Sequence, residues 1–142
     1  MNAPSASAAT DVVRLRIPRK GEFVAVARLA IGAIAGRTGF SIEEIEDIKL
    51  AVAEACTEAI RFGGDEPDVE LVCESSGGGL SVTVLGFVSP AQRESFESVA
   101  GEDREPSDLG LFLIRALMDR VEHRSTGAGG IDLIMSKRMH AP

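Results

Sequence analysis

An α+β fold, one sheet covered on one side by three helices, follows from the way apolar residues alternate along this chain. Stretches of period two come in pairs, at 68–87 and 121–139, each pair joined by a glycine-rich turn, "SSGGG" and "GAGG". Strands in hairpins, rather than regular strand–helix–strand repeats, predict a two-layer sandwich. Three further stretches carry helical period and cover one sheet face. The length of 142 residues makes one domain, which buries about two thirds of its unfolded surface.

The small, polar N-terminus through residue 11 is expected to be a disordered tail, and 12–139 the domain. "DVVRLRIP" (11–18) overlaps that boundary and alternates Val13, Leu15 and Ile17 against Arg14 and Arg16, a half-buried strand stopped by Pro18. Phe23, Val26, Ala27, Ala30, Ile31 and Ile34 then recur at helical spacing until the Gly36–Gly39 region. "SIEEIEDIKLAVAEACTEAIRF" (41–62) is the best-marked helix. Ser41 with Glu44 makes a capping box, and acids load the early turns, where the helix dipole favours them. Ile45, Ile48, Val52, Ala55 and Ala59 form its apolar line, widened by Leu50, Ala53 and Ile60. Glu54 and Glu58 fall off that line, on one face, where like charges cost roughly 0.2–0.5 kcal/mol even when exposed.

After the first hairpin, residues 89–106 mix charge with Pro and Gly and hold no sustained period, which predicts a mobile loop. Leu109, Phe112, Leu113, Ala116 and Leu117 restore helical period before the second hairpin. The expected order is β-α-α-β-β-α-β-β, without internal repeats.

Composition narrows the function. Six Phe and no Trp or Tyr leave few platforms for stacking single-stranded nucleic acid. A net charge of −7 without a dense Lys/Arg block argues against nucleic acid or an anionic membrane as partner. Cys56 and Cys73 lack CxxC spacing and read as buried thiols. His123 and His140 are isolated, so zinc is not indicated. The glycine runs do not open a helix followed by Lys and Ser/Thr, so they are turns rather than phosphate loops. With no secretory signal and no apolar run of membrane length, the chain reads as cytoplasmic.

The stretch "ARLAIGAIAGRTGFSIEEIEDIKLAVAEACTEAI" resembles the first two helices of the RsbW/SpoIIAB anti-sigma-factor serine kinases, members of the GHKL superfamily. "SDLGLFLIRALMDRVE" resembles that family's glycine-containing helix start and the helix after it. The resemblance covers roughly 12–139 and implies a Bergerat-type ATPase fold, with a mixed sheet and three helices on one face. It also implies partners: a sigma factor held away from polymerase, a STAS-type anti-anti-sigma protein phosphorylated on serine with Mg-ATP, and a second copy in a homodimer.

Carried over residue by residue, the resemblance places Glu54 at the family's catalytic base. Glu58 stands where an asparagine holds Mg²⁺, and a carboxylate can take that metal too. Gly86 stands in place of the aspartate that recognises the adenine amino group, and Val88 in place of the next glycine. At the phosphate-cradling Gly-Leu-Gly the chain reads Asp108-Leu109-Gly110, where Ser107 or Asp108 would cap the helix and occupy donors meant for phosphate. Arg28 falls where the family carries a partner-contacting arginine. The reading is an anti-sigma factor released by an anti-anti-sigma partner, with an impaired nucleotide site. Two alternatives stay open: an active ATP-dependent serine kinase using Glu54 and Glu58, and an adaptor with a repurposed ligand cleft.

Overall fold

The computed structural model describes residues 10–101 and 106–140. Most of the expected tail therefore lies outside the described residues. The chain runs β1 (Asp11–Pro18), α1 (Val24–Thr38), α2 (Ile42–Phe62), β2 (Asp68–Ser76), β3 (Gly79–Val88), α3 (Arg93–Ala100), α4 (Leu109–Leu117), β4 (Arg120–Ser125) and β5 (Ile131–Arg138), with 3₁₀ turns leading into α1 and α3. The five strands form one sheet in the order β1-β2-β3-β5-β4.

Two features differ from the expectation. Every neighbouring pair of strands is antiparallel, so the sheet is not mixed. β3 and β4 do run the same way, but β5 inserts between them and leaves no parallel neighbours. The second difference lies in 89–106, expected as a loop, which contains α3 and raises the described helices to four. α3 has only two buried residues, Phe96 and Ala100, and that is too short a pattern for period alone to find.

Alternation decides which sheet face is covered. One cross-strand row runs Leu15, Leu71, Val84, Leu133 and His123, and the next runs Val13, Cys73, Val82, Met135 and Val121. Leu71, Val84, Leu133, Cys73, Val82 and Met135 of these rows form one core with Ile31, Ile48, Val52, Ala55 and Ile114 of the helices, while Val13 at the sheet edge is 42% exposed. The opposite face carries Arg14, Val72, Thr83, Ile134 and Glu122 in register, a half-polar surface suited to solvent. Both cysteines are buried and free, as their surroundings imply.

α2 is the axis of the helical layer, with α1 packed on one side of it and α4 on the other. Its start is fixed by the expected capping box: Ser41 accepts from the Glu44 N–H while the Glu44 carboxylate accepts from the Ser41 N–H. Ala51, Ala55 and Ala59 are fully or almost fully buried and let the neighbouring elements approach closely. Leu50, expected to widen the apolar stripe, is instead 41% exposed. At the far end the Arg19 guanidinium donates to the carbonyls of Ala59, Glu66 and Asp68, tying off α2 and the loop into β2. α4 spans the residues of its expected period and ends where Met118 turns extended and the chain enters β4. The Lys137 ammonium, 9% exposed, donates to the Leu117 carbonyl at 2.7 Å and places a cation at the end of α4.

Candidate functional site

Three carboxylates, expected from three places in the sequence, meet at the start of α4. Gly110 is buried there, and a methyl group built on it would lie 2.5 Å from Glu58 Oε2, 3.1 Å from Glu54 Oε1 and 3.2 Å from Asp108 Oδ1. Such an approach to backbone is open only to glycine. Glu54 and Glu58 come from α2, and Asp108 is the N-cap of α4, with Oδ1 accepting from the Leu111 N–H at 3.1 Å.

Helix counting put Glu58 off the apolar stripe of α2, yet it is 6% exposed. The cause is α4, which packs over that side of α2. Burial, followed by a hydrogen bond to Asp108 and repulsion from it, pushes the Glu58 carboxyl up to about 7, against the pull of Arg61. Asp108 is held below the usual carboxylate range: burial opposes ionisation, but the Leu111 N–H and the hydrogen bonds from Glu58 and Arg61 outweigh it. Their proximity thus favours the neutral form of Glu58 and the ionised form of Asp108. Glu58 Oε1 is buried without a hydrogen-bond partner.

Arg61 completes the cluster. Its guanidinium contacts Asp108 Oδ2 at 2.5 Å and Glu58 Oε1 at 3.6 Å, and lies over the Phe62 ring, 4.6 Å from the centroid. Its place one turn beyond Glu58 was visible in the sequence, but nothing there paired it with a residue on another helix.

Gly86 and Val88 do not join the carboxylates. Val84 pairs with Leu133 and Val88 with Ile131, so Leu85, Gly86 and Phe87 bulge opposite the single residue Asp132. Gly86 takes φ +63°, and its N–H donates to Asp132 Oδ1 at 2.8 Å. It lines a surface groove of about 360 Å³ with Arg19, Asp68 and Glu70. Val88 is buried, and Phe87 turns inward. There Phe87 meets Phe96 of α3, which also meets Phe62 and His123, an aromatic group with no counterpart in the expected site. Burial and the nearby Arg115 lower the His123 pKa and keep its ring neutral among them.

Leu109 is 70% exposed. Arg28 is exposed on α1, a different helix from those that carry the carboxylates. Val26, 46% exposed, and Leu29, 69% exposed, are also accessible on α1. No helix among the described residues is long and apolar enough to cross a membrane.

The geometry, a sheet with a capped central helix facing a glycine-containing helix start, agrees with comparisons to known proteins. Residues 17–137 match the model of the histidine kinase-like ATPase domain. A serine-protein kinase RsbW of Halalkalibacterium halodurans is 35% identical over 143 residues, 89% of this chain and 83% of the relative. RsbW of Listeria innocua is 36% identical, over 89% of this chain and 87% of its own. RsbW of Bacillus subtilis is 30% identical over 92% of this chain and 87% of its own. With its α+β sandwich matched almost from end to end, the chain belongs to the histidine kinase-like ATPase (GHKL) family and is of the RsbW type.

Proposed function

We propose that this chain is an anti-sigma factor that sequesters a sigma factor through its surface, is released by a competing anti-anti-sigma protein, and does so in the cytoplasm without nucleotide. The RsbW kinship and the family resemblance support the partner class. The poor fit between the cleft residues and Mg-ATP supports the loss of nucleotide control.

One observation carries that second part. The start of α4, where an ATPase of this family would receive phosphate, has its Leu111 donor taken by Asp108, and Asp108 is in turn held by Arg61. An incoming polyphosphate would meet a fixed anion at the helix N-terminus instead of free N–H groups. Gly86 offers the adenine no acceptor, and a site without its polar partner loses selectivity by up to about 10⁴–10⁵-fold. Glu58 is buried beside Asp108, which favours its neutral form over the carboxylate a metal would need.

Inhibition on this reading is occlusion of the sigma surface that polymerase needs. Arg28 and the exposed Leu29 form part of the contact surface, and a homodimer is the working assembly.

The test is capture of partners from the protein's own cells with and without Mg-ATP. A sigma factor retained equally in both, and lost with Arg28→Glu, is the expected result. A sigma factor absent from both captures would sink the proposal. The kinase reading retains one favourable observation, that Glu54 lies against the start of α4 beside Gly110. Calorimetry decides it: saturable Mg-ATP binding that Glu58→Ala abolishes, with phosphate transfer to the anti-anti-sigma protein, would establish the kinase.

A further inference from the structure

We infer that the chain supplies its own occupant for the cleft beside α2. Phe96 of α3, seated on Phe62 and Phe87, fills the space an aromatic ligand would need, and Asp108 with Arg61 fills the anion position at the start of α4. The inference rests on the nucleotide-free reading above and adds what replaces the nucleotide.

α3 has Phe96 as its large anchor, with Val99 and Ala100 packed on the core beside it. Its residues Arg93, Glu94, Ser95, Glu97 and Ser98 are polar and at least partly accessible, while Phe96 is 2% exposed. The ring is met edge-to-face by Phe62 at 5.3 Å and 82°, by Phe87 at 5.7 Å and 88°, and by His123 at 5.2 Å and 76°. Such contacts add to area burial for each pair. The crevice beside this group, lined by Ala100, Leu111, Ile114 and His123, has no room for a water molecule.

The bulge in β3 is what creates the seat. In unbroken register, Gly86 would follow Val82 and Val84 on the inner face, and Phe87 would point to solvent. The two additional residues in β3 and the positive φ of Gly86 reverse this, and the Asp132 carboxylate holds the reversal through the Gly86 N–H. Phe87 is then fully buried where the family's base-recognising strand end would face its ligand. The chain of contacts is continuous. Asp108 holds Arg61, Arg61 covers Phe62, Phe62 meets Phe96, and Phe96 meets Phe87. An anion, its counter-ion and an aromatic ring, all from one chain, span the gap between α2 and α4.

The test removes the ring and offers its equivalent. Phe96→Ala should lower the melting temperature by roughly 10 °C or more and create an apolar cavity that takes benzene, as dry cavities of that size do. Benzene should then raise the melting temperature of the variant and bind it at least tenfold tighter than the wild-type chain. Phe96→Val, which leaves a smaller opening, serves the same comparison if the alanine variant does not fold. Mg-ATP is titrated into the wild-type chain in parallel. No ATP binding together with benzene binding by a Phe96 variant supports the inference. No ATP binding and no benzene binding overturns it and leaves the nucleotide-free reading intact. Saturable ATP binding by the wild-type chain overturns both.

Discussion

At the first turn of α2, the Glu44 carboxylate accepts from the Ser41 N–H and lies 3.2 Å from His140 Nδ1. The backbone hydrogen bond of Ser41, then the His140 contact, bring its pKa down to about 2. Near the other end of the same helix, burial and Asp108 push Glu58 up to about 7. Two glutamates on one helix are thus shifted in opposite directions. Glu44 faces donors at a helix N-terminus, which stabilise the anion. Glu58 faces another carboxylate in a desolvated gap, which stabilises the acid. The capped end of α2 secures the fold, and the buried end is where charge is concentrated at some cost to stability. An acid raised by burial and an adjacent charge marks a functional position in many proteins. Here the pair is closed on itself by Arg61.

The largest expected effect comes from filling the point where the carboxylates converge. Gly110→Ala sets a methyl group 2.5 Å from Glu58 Oε2 and within 3.2 Å of two more carboxylate oxygens. The oxygens must move, and the buried pair loses its geometry. A loss of about 3 kcal/mol, the upper part of the usual range for overpacking, is expected from urea unfolding at pH 7. An unchanged midpoint would mean that α4 stands farther from α2 than the contacts imply.

Next in size is a pH effect with a definite sign. The folded-state pKa of Glu58, about 7, exceeds the ordinary glutamate value of 4.5. Between those values the folded state binds more protons than the unfolded state, so stability falls as pH rises. The contribution is fully present below about 4.5 and lost above about 7. Glu58→Gln keeps a donor toward Asp108 and never ionises. It should stabilise the protein by about 2 kcal/mol at pH 8, with the gain fading toward pH 5. Glu44 runs the other way: its contribution is present above the ordinary glutamate value of 4.5 and lost as pH falls toward about 2. Melting curves from pH 4 to 8 on both proteins decide the matter. A pH-independent difference between them would refute the raised pKa of Glu58.

What the sequence reveals follows from how far apart the interacting residues lie. α2 is legible because cap, early acids and apolar period agree within one segment. The strands are legible because alternation and glycine turns coincide. The Asp108 cap is legible too, since it needs only a local bond to Leu111. Its ion pair with Arg61 is not, because it joins two helices. The burial of Glu58 depends on α4 arriving over α2, which helix counting on α2 alone does not contain. α3 is hidden because its hold on the core is Phe96 with Val99 and Ala100, too few apolar positions in eight residues to set a period. The bulge that aims Phe87 inward depends on Asp132, a partner supplied by another strand.

The smallest effect tests whether the two ends of α2 are independent. Ser41→Ala removes one capping interaction and should cost about 1 kcal/mol. It should also raise the pKa of Glu44, whose reciprocal bond weakens. Ser41 and Glu58 are roughly 25 Å apart along the helix axis, with no shared hydrogen-bond or ion-pair partner among the described contacts. The double variant Ser41→Ala with Glu58→Gln should therefore show the sum of the single effects to within about 0.5 kcal/mol at pH 8. The Glu58 midpoint near pH 7 should also be unmoved in Ser41→Ala alone. Coupling beyond that margin would mean that fraying at the capped end reaches the carboxylate pair through α2. The two ends would then be one cooperative unit, and the contrast between Glu44 and Glu58 would no longer be purely local.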